Sequence, residues 1–209
     1  ACLFEDVDPI NGEEDDTFRI IEMAEEIRTF LNGQGYDCER FYNRSGTHPQ
    51  GPLRYENGTA IPVELTLAGN PGAGIPGFPW DGDDGDITDA INNGNFIITF
   101  NGHGGNQSWG RPNYTNANVN ALTNGNLTPV VFCIACKNGW FDNETDAAAT
   151  GTGVNTESMC EAFLRLANGG CVATIGSTRN SSSPNDFLIL GLYKAIWPAF
   201  DPNPPISGR

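Results

Sequence analysis

The chain has 209 residues and a formal net charge of −15, with 11 Lys and Arg residues against 26 Asp and Glu residues. A surface this acidic repels nucleic acid and anionic lipid, so we expect neither as a partner. No apolar run approaches the roughly 20 residues that a membrane helix needs, which argues against membrane insertion. The length suits one domain with a sizeable core over residues 1–209.

The first predicted elements are a strand, a helix and a second strand. Residues 1–6 form a strand-like run, and residues 16–32 place apolar side chains at helical spacing. Asp15 and Asp16 suit the start of that helix as capping residues. The second strand is predicted around residues 36–42.

A long segment rich in Gly and Pro follows at residues 44–82. It is too long for an ordinary connection, so we interpret it as a functional loop or an insertion. A short helix is predicted near residues 85–93, with Asp86 or Thr88 as its capping residue.

Acidic residues are concentrated at the end of this segment, in a run that contains Asp81, Asp83, Asp84 and Asp86. Several carboxylates this close together can bind a structural calcium ion. The run lacks the spacing of the helix-loop-helix calcium loop, and helix capping and solvated loop charge are the alternative explanations.

The rest of the chain continues the alternation of strands and helices. Strands are predicted at 96–100, 130–134 and 170–176, and helices at 155–168 and 184–197. An irregular Asn-rich stretch separates the first two of these strands. Alternating strands and helices favour a three-layer α/β fold with a mostly parallel sheet flanked by helices.

His103 and Cys136 each follow one of these apolar runs, in Gly-rich turns. Ligands of parallel sheets bind beyond the carboxyl ends of the strands, where these two turns would meet. A histidine base and a cysteine nucleophile on neighbouring strands are what a cysteine hydrolase needs. The alternative for His103 is a turn histidine without a role.

Cys133 and Cys136 form a Cys-x-x-Cys pair, which also occurs in zinc and redox sites. A zinc site would need a second pair of ligands at matched spacing, and Cys160 and Cys171 are spaced differently. Cys133 lies inside the apolar run, so we expect it to be buried and the pair to be neither a metal nor a redox site. We expect the other cysteines to be buried thiols, although one disulfide among them is an alternative.

The chain resembles the gingipain family of cysteine peptidases, within the caspase–legumain–clostripain group. The resemblance rests on residues 100–104, 108–110, 122–124, 129–132, 135–141, 160–165 and 173–178. It implies a caspase-like fold with His103 as general base and Cys136 as nucleophile. It also implies an oxyanion hole made by the backbone N–H groups of Gly104 and Cys136. An enzyme of this kind requires no cofactor.

The same resemblance implies further site residues. Members of the family often orient the histidine with a carboxylate near the end of the first strand, where Glu5, Asp6 and Asp8 lie; Asp8 is favoured over Asp6. Arginine-specific members hold a basic side chain with an acidic residue at the start of the first helix, where Asp15 and Asp16 lie. Ser177 and Thr178 are also predicted to line the substrate pocket.

The chain departs from the arginine-specific pattern in two places. Ser181, Ser182 and Ser183 stand where those members have a tryptophan, so a different pocket is expected. Residues 142–154 have the character of an insertion beside the nucleophile, as a substrate-binding or processing loop.

Together these patterns predict a secreted or cell-surface cysteine endopeptidase that acts on protein or peptide substrates. Since the sequence starts at Ala1, we expect a piece of a longer precursor that lacks an N-terminal subdomain, with other chains or domains of that precursor as partners. The alternatives are a sortase-like transpeptidase and an inactive surface or assembly module that keeps the fold.

Overall fold

The computed structural model describes residues 2–7, 15–16, 19–44, 54–55, 58–142, 157–181 and 187–202, with the backbone alone for 2–7 and 15–16. The strands within these residues are β1 (Cys2–Val7), β2 (Asp15–Asp16), β3 (Glu39–Arg44), β4 (Arg54–Tyr55), β5 (Ile97–Asn101), β6 (Gly104–Gly105), β7 (Ser108–Trp109), β8 (Val130–Ile134) and β9 (Ala173–Gly176). The helices are α1 (Ile20–Gly33), α2 (Asp84–Asn92), α3 (Asn116–Asn120), α4 (Met159–Arg165) and α5 (Phe187–Ile196). Short 3-10 helices span Val63–Leu65 and Pro71–Ala73.

Five of the strands form a central sheet in the order β3-β1-β5-β8-β9. Every neighbouring pair in this sheet is parallel. The carboxyl ends of all five strands therefore lie at one edge of the sheet, which is where ligands of such sheets bind.

Side chains along β5 and β8 alternate between two apolar cores, because successive residues of a strand point to opposite faces. Ile97 and Phe132 belong to one core, to which α1 and α5 contribute. Ile98 and Val131 belong to the other, to which α2, α3 and α4 contribute. The predicted three-layer α/β architecture is thus observed.

Helix α1 begins later than predicted, at Ile20 rather than residue 16. The backbone of Asp15 and Asp16 instead forms β2, which pairs in parallel with β4. The prediction that these two aspartates cap the helix is therefore wrong. The residue before the helix is Arg19, whose Nε donates to Glu22 Oε2 at 2.7 Å.

The described part of the long Gly/Pro-rich segment packs onto the sheet. Leu65 and Trp80 are buried in the same core as Tyr42 of β3. The indole Nε1 of Trp80 donates to the Leu65 carbonyl at 2.7 Å. This hydrogen bond links two parts of the segment to each other, in addition to their packing in the core. Its interpretation as a functional loop stays a prediction.

Helix α2 spans nearly the predicted residues, but its capping residue is Asp83 rather than Asp86 or Thr88. The Asp83 side chain accepts from the Asp86 N–H at 3.0 Å, and the Asp86 side chain accepts from the Asp83 N–H at 3.0 Å. This reciprocal pair is a capping box, which satisfies two backbone donors at the helix start.

The Asn-rich stretch after β5 is more ordered than the sequence indicated. It contains the antiparallel pair β6–β7 and the helix α3. Trp109 of β7 stacks on Phe100 of β5 with ring centroids 4.6 Å apart, which anchors the hairpin to the sheet.

The carboxy-terminal elements follow the predicted order, and helix α4 is shorter than predicted. Helix α4 ends at Arg165, and its first turn is capped by Ser158. Among the residues that the structure describes, no helix combines the length and the apolar character needed to cross a membrane.

Candidate active site

His103 and Cys136 lie at equivalent positions beyond two neighbouring strands. Asn101 of β5 is the register partner of Ile134 of β8, and the Gly102 N–H donates to the Ile134 carbonyl at 3.1 Å. His103 and Cys136 each come two residues after this pair. The sheet therefore brings the two turns to the same edge, side by side.

The two turns are in direct contact at Gly104 and Ala135. A Cβ added to Gly104 would lie 2.8 Å from the Ala135 Cβ, which is closer than real side chains approach. Gly104 follows His103, and Ala135 precedes Cys136. Only a residue without a side chain allows the backbone at position 104 to come this close to Ala135.

Cys136 is half-buried and His103 is exposed, as a nucleophile and base that meet a substrate must be. The Cys136 Sγ lies 3.6 Å from both the carbonyl oxygen and the hydroxyl oxygen of Ser181. The backbone of His103 is fixed from the other side, because its carbonyl accepts from the Gly110 N–H at 2.7 Å.

The turn that carries Cys136 is fastened to the segment that follows β9. The Lys137 N–H donates to the Arg179 carbonyl at 3.0 Å, and the Gly139 N–H donates to the Ser177 carbonyl at 2.9 Å. A Cβ on Gly139 would lie 2.6 Å from the Gly176 carbonyl oxygen, so glycine is required at this approach. The predicted pocket residues Ser177 and Thr178 therefore follow β9 directly beside the nucleophile turn.

Asn138 connects the two turns through its side chain. Its amide Nδ2 donates to the Gly105 carbonyl at 2.6 Å and to the Ser108 carbonyl at 3.1 Å. The residue is fully buried. Sequence reasoning assigned it no role, because Asn and Gly are common in turns for conformational reasons alone.

An ion pair joins the segments that follow the nucleophile turn and β9. The guanidinium of Arg179 contacts both carboxylate oxygens of Asp142, at 3.2 and 3.0 Å. Both residues are more than a third exposed. No sequence pattern predicted this pair. The remainder of the predicted insertion at 142–154 lies outside the described residues.

Cys133 is fully buried in the apolar core, as predicted. A hydrogen bond with Cys160 and burial both raise the pKa of its thiol well above the ordinary value. Cys133, Cys136, Cys160, Cys171 and Cys38 are all free thiols, so no disulfide links these five. A thiol that is neutral and inaccessible suits packing rather than redox chemistry.

The candidate histidine-orienting carboxylates are located only in part. Glu5 and Asp6 belong to β1, and Glu5 is the register partner of Asn101 across the β1–β5 pair. That places the end of β1 at the same edge of the sheet as His103. Asp8 and the side chains of Asp6, Asp15 and Asp16 lie outside the described residues.

Three of the four aspartates proposed for calcium accept hydrogen bonds from other groups of the protein. Asp83 and Asp86 form the capping box of α2, and Asp84 Oδ2 accepts from Asn118 Nδ2 at 2.8 Å. The backbone of Asp81 forms an isolated antiparallel β-bridge with Asn43, a pairing that does not use the carboxylate. The described ranges contain no group of three or more His, Cys, Asp or Glu residues arranged to hold a metal ion. Calcium binding stays an untested expectation.

Comparison with known proteins identifies related sequences. The sequence model that describes peptidase family C25 matches residues 5–206 of this chain. Gingipain R2 of Porphyromonas gingivalis is 34% identical over 100 residues, which are 46% of this chain and 12% of that protein. Gingipain R1 of the same organism is 34% identical over 96 residues, covering 46% of this chain and 9% of that protein. The match thus spans a small part of these relatives.

Solved structures share the fold. The crystal structure of the Arg-specific cysteine proteinase gingipain R (RgpB) covers 87% of this chain with a TM-score of 0.55 at 21% identity, and 32% of that chain is matched. The complex of Porphyromonas gingivalis RgpB pro- and mature domains gives a TM-score of 0.53 at 23% identity, covering 87% of this chain and 33% of that one. These similarities confirm the predicted caspase-like α/β fold.

Proposed function

Because the chain belongs to peptidase family C25, we propose that it is a cysteine endopeptidase that hydrolyses peptide bonds through Cys136 and His103. The observation that carries the proposal is the register of β5 and β8, which puts these two residues at equivalent positions beyond adjacent strands. The base and the nucleophile therefore lie in turns that directly follow two paired strands, rather than in segments far from the sheet.

The proposed reaction has two steps that share the same pair of residues. His103 takes the thiol proton, and the Cys136 sulfur attacks the carbonyl carbon of the scissile bond. The imidazolium then gives this proton to the leaving amine as the C–N bond breaks and a thioester forms. In the second step His103 takes a proton from a water molecule, which attacks the thioester carbonyl. The C–S bond then breaks, the carboxylic acid product leaves, and His103 returns the proton to the Cys136 sulfur.

We propose that the backbone N–H groups of Gly104 and Cys136 stabilise the oxyanion of the tetrahedral intermediates. The packing of Gly104 against Ala135 supports this, because it holds the two backbone segments close together. Removing one such donor costs about 3 kcal/mol of transition-state stabilisation in comparable sites. Fixed donors are effective because they need no reorganisation when the charge develops.

Asp8 remains the favoured residue for orienting His103, with Asp6 as the alternative. The parallel pairing of β1 with β5 supports a carboxylate from this region, since it brings the end of β1 to the edge where His103 lies. A carboxylate that accepts a hydrogen bond from one imidazole nitrogen fixes the ring tautomer and leaves the other nitrogen to act on the thiol.

We expect a weak preference for Arg or Lys at the residue before the cut, with Asp15 or Asp16 accepting a hydrogen bond from the basic side chain. Ser177 and Thr178 would line the same pocket, since both follow β9 beside the nucleophile turn. Ser181 also borders the pocket, because it contacts the Cys136 sulfur. Small serines at this position would leave a wider pocket than a tryptophan would.

We propose protein or peptide substrates, no required cofactor, and a secreted or cell-surface location. One solved relative is a complex of pro- and mature domains. It supports the further expectation that other segments of the same precursor contact this chain. The strongly negative net charge argues against nucleic acid as a partner.

A peptide-library cleavage assay tests the proposal. The wild-type chain, Cys136→Ala and Cys38→Ala are incubated with the library at equal concentrations of folded protein. Cys38 is buried and belongs to the opposite core from Cys133, so it is a matched thiol control. We expect cleavage by the wild type and by Cys38→Ala, and none by Cys136→Ala.

Adding a large excess of an amine nucleophile such as triglycine to the same assay separates hydrolysis from transpeptidation. Hydrolysis products alone support the endopeptidase, whereas ligated products support the sortase-like alternative, because only the group that resolves the thioester differs. No product of either kind from folded wild-type protein would instead favour an inactive module.

A further inference from the structure

We propose that Asn138 is a positioning residue whose side chain sets the spacing between the Cys136 turn and the His103 turn. The inference rests on the proposed function, since positioning matters here only if the two residues react together. It adds a residue to which the sequence patterns assigned no role.

The amide group of Asn138 reaches from one turn to the other. Nδ2 donates to the Gly105 carbonyl at 2.6 Å and to the Ser108 carbonyl at 3.1 Å. Gly105 and Ser108 are register partners in the β6–β7 hairpin, which begins directly after His103. Both amide protons are thereby used to hold the hairpin that continues from the histidine turn.

The backbone around Asn138 is fixed to the rest of the fold. Its carbonyl accepts from the Cys160 N–H of α4 at 3.0 Å, and the next residue, Gly139, donates to the Ser177 carbonyl at 2.9 Å. The nucleophile turn is thus attached to α4 and to the end of β9. Because the backbone at Asn138 is fixed, its side-chain amide holds the hairpin at a fixed distance from the nucleophile turn.

Asn138 does not touch a substrate. It is fully buried, so its contribution can come only through the residues that it holds. In cysteine and serine hydrolases the reacting atoms must be held within a fraction of an ångström, and a misplacement of about 1 Å can lower the rate about 10²-fold. Loss of the amide would let the hairpin shift relative to Cys136 in this way.

Asn124 offers a matched control at the opposite edge of the sheet. Its Nδ2 donates to the Leu127 and Gly170 carbonyls, both at 2.8 Å, and its Oδ1 accepts from the Gly170 N–H at 2.9 Å. It is also buried. Asn124 precedes β8 and Gly170 precedes β9, so this bridge joins the amino ends of the strands, away from Cys136.

The test compares wild type, Asn138→Ala and Asn124→Ala in two measurements. The first is amide hydrogen exchange in peptides that cover residues 104–110 and 124–130. The second is kcat and KM for a peptide that the wild type cleaves, with kcat/KM followed across pH. The milder variant Asn138→Ser, which keeps one hydroxyl donor, serves if Asn138→Ala does not fold.

We expect Asn138→Ala to speed exchange in 104–110, to lower kcat about 10²-fold with little change in KM, and to change the shape of the pH profile. Asn138→Ser should show the same changes at smaller size. Asn124→Ala should speed exchange in 124–130 and lower thermal stability, with kcat and the pH profile of wild type.

Wild-type exchange in 104–110 for the Asn138 variants, or a kcat loss no larger than that of Asn124→Ala, would overturn the inference. If the folded wild type cleaves nothing, the proposed function fails. The exchange measurement then still decides whether Asn138 holds the hairpin, so the two failures are distinguishable.

Discussion

Gly104 packs against Ala135, so the residue after His103 touches the residue before Cys136. A Cβ at position 104 would lie 2.8 Å from the Ala135 Cβ. The turn after β5 therefore approaches the turn after β8 too closely for any side chain to fit at position 104. We expect the spacing of the proposed base and nucleophile to depend on the absence of this side chain.

We therefore expect Gly104→Ala to lower kcat/KM about 10²-fold, because the added methyl group pushes the two turns apart by a large fraction of an ångström. Gly105→Ala is the matched control, since a Cβ there would lie at an ordinary 3.6 Å from the Ser108 Oγ. Neither glycine has a positive φ angle, so backbone strain does not separate the two variants. Equal kinetics for both would show that this contact does not set the catalytic geometry.

The five described thiols should differ sharply in reactivity. We expect iodoacetamide to modify Cys136 first in the folded protein, because it is half-buried whereas Cys133 is fully buried. A raised pKa keeps the Cys133 thiol neutral, and the thiolate is the reactive form. Mass spectrometry of the adducts over time measures the order.

The control for this labelling is the same reaction in denaturant, where the thiols should react at similar rates. Labelling of Cys133 ahead of Cys136 in the native state would reverse our interpretation of the Cys-x-x-Cys pair.

The buried thiol of Cys38 should make the free energy of unfolding fall at alkaline pH. Burial raises the pKa of Cys38 from 9.0 to about 11. A folded-state pKa above the unfolded value means that the unfolded chain loses its proton first, so stability is full below pH 9 and falls as the pH rises towards about 11. The expected loss for this thiol is about 1.4 kcal/mol per pH unit in that window.

Urea unfolding of wild type and Cys38→Ala at several pH values from 8 to 11 isolates this thiol. The difference in unfolding free energy between the two proteins should shrink as the pH rises, because only the wild type carries the titrating group. A constant difference would mean that Cys38 has the same pKa in both states.

Specificity is tested by neutralising Asp15 and Asp16 together, as Asp15→Asn with Asp16→Asn. We expect the preference for Arg or Lys before the cut to weaken in a peptide-library profile, since the carboxylates that accept from a basic side chain are gone. Asp86→Asn, which alters the capping box of α2, controls for a general change in charge.

An unchanged profile in the double variant would exclude Asp15 and Asp16 from the pocket. Helix capping would not then explain them, because their backbone lies in β2 and not at the start of α1. Specificity would have to come from the segments after Cys136 and Ser177.

Local patterns predicted the parts of the fold that depend on local sequence. The run at residues 130–134 is continuous and β-branched, and it forms β8 at the predicted bounds. The strand before His103 is displaced by one residue from the predicted bounds, to Ile97–Asn101. His103 and Cys136 could be selected because both follow such runs in Gly-rich turns.

Features that depend on distant partners could not be predicted in this way. The start of α1 was misplaced because Asp15 and Asp16 pair with Arg54 and Tyr55, far along the chain. The β6–β7 hairpin has strands of two residues each, too short to show any alternation. The role proposed for Asn138 depends on the carbonyl groups of that hairpin, which no pattern in the sequence reveals.

The most direct test of the central claim is a double-mutant cycle on kcat/KM with wild type, His103→Ala, Cys136→Ala and the double variant. Residues that act as one unit lose their effect together, so each single variant should fall at least about 10³-fold and the double variant no further. Near wild-type activity in either single variant would contradict the claim that His103 and Cys136 form one catalytic unit. Losses that multiply in the double variant would contradict it equally.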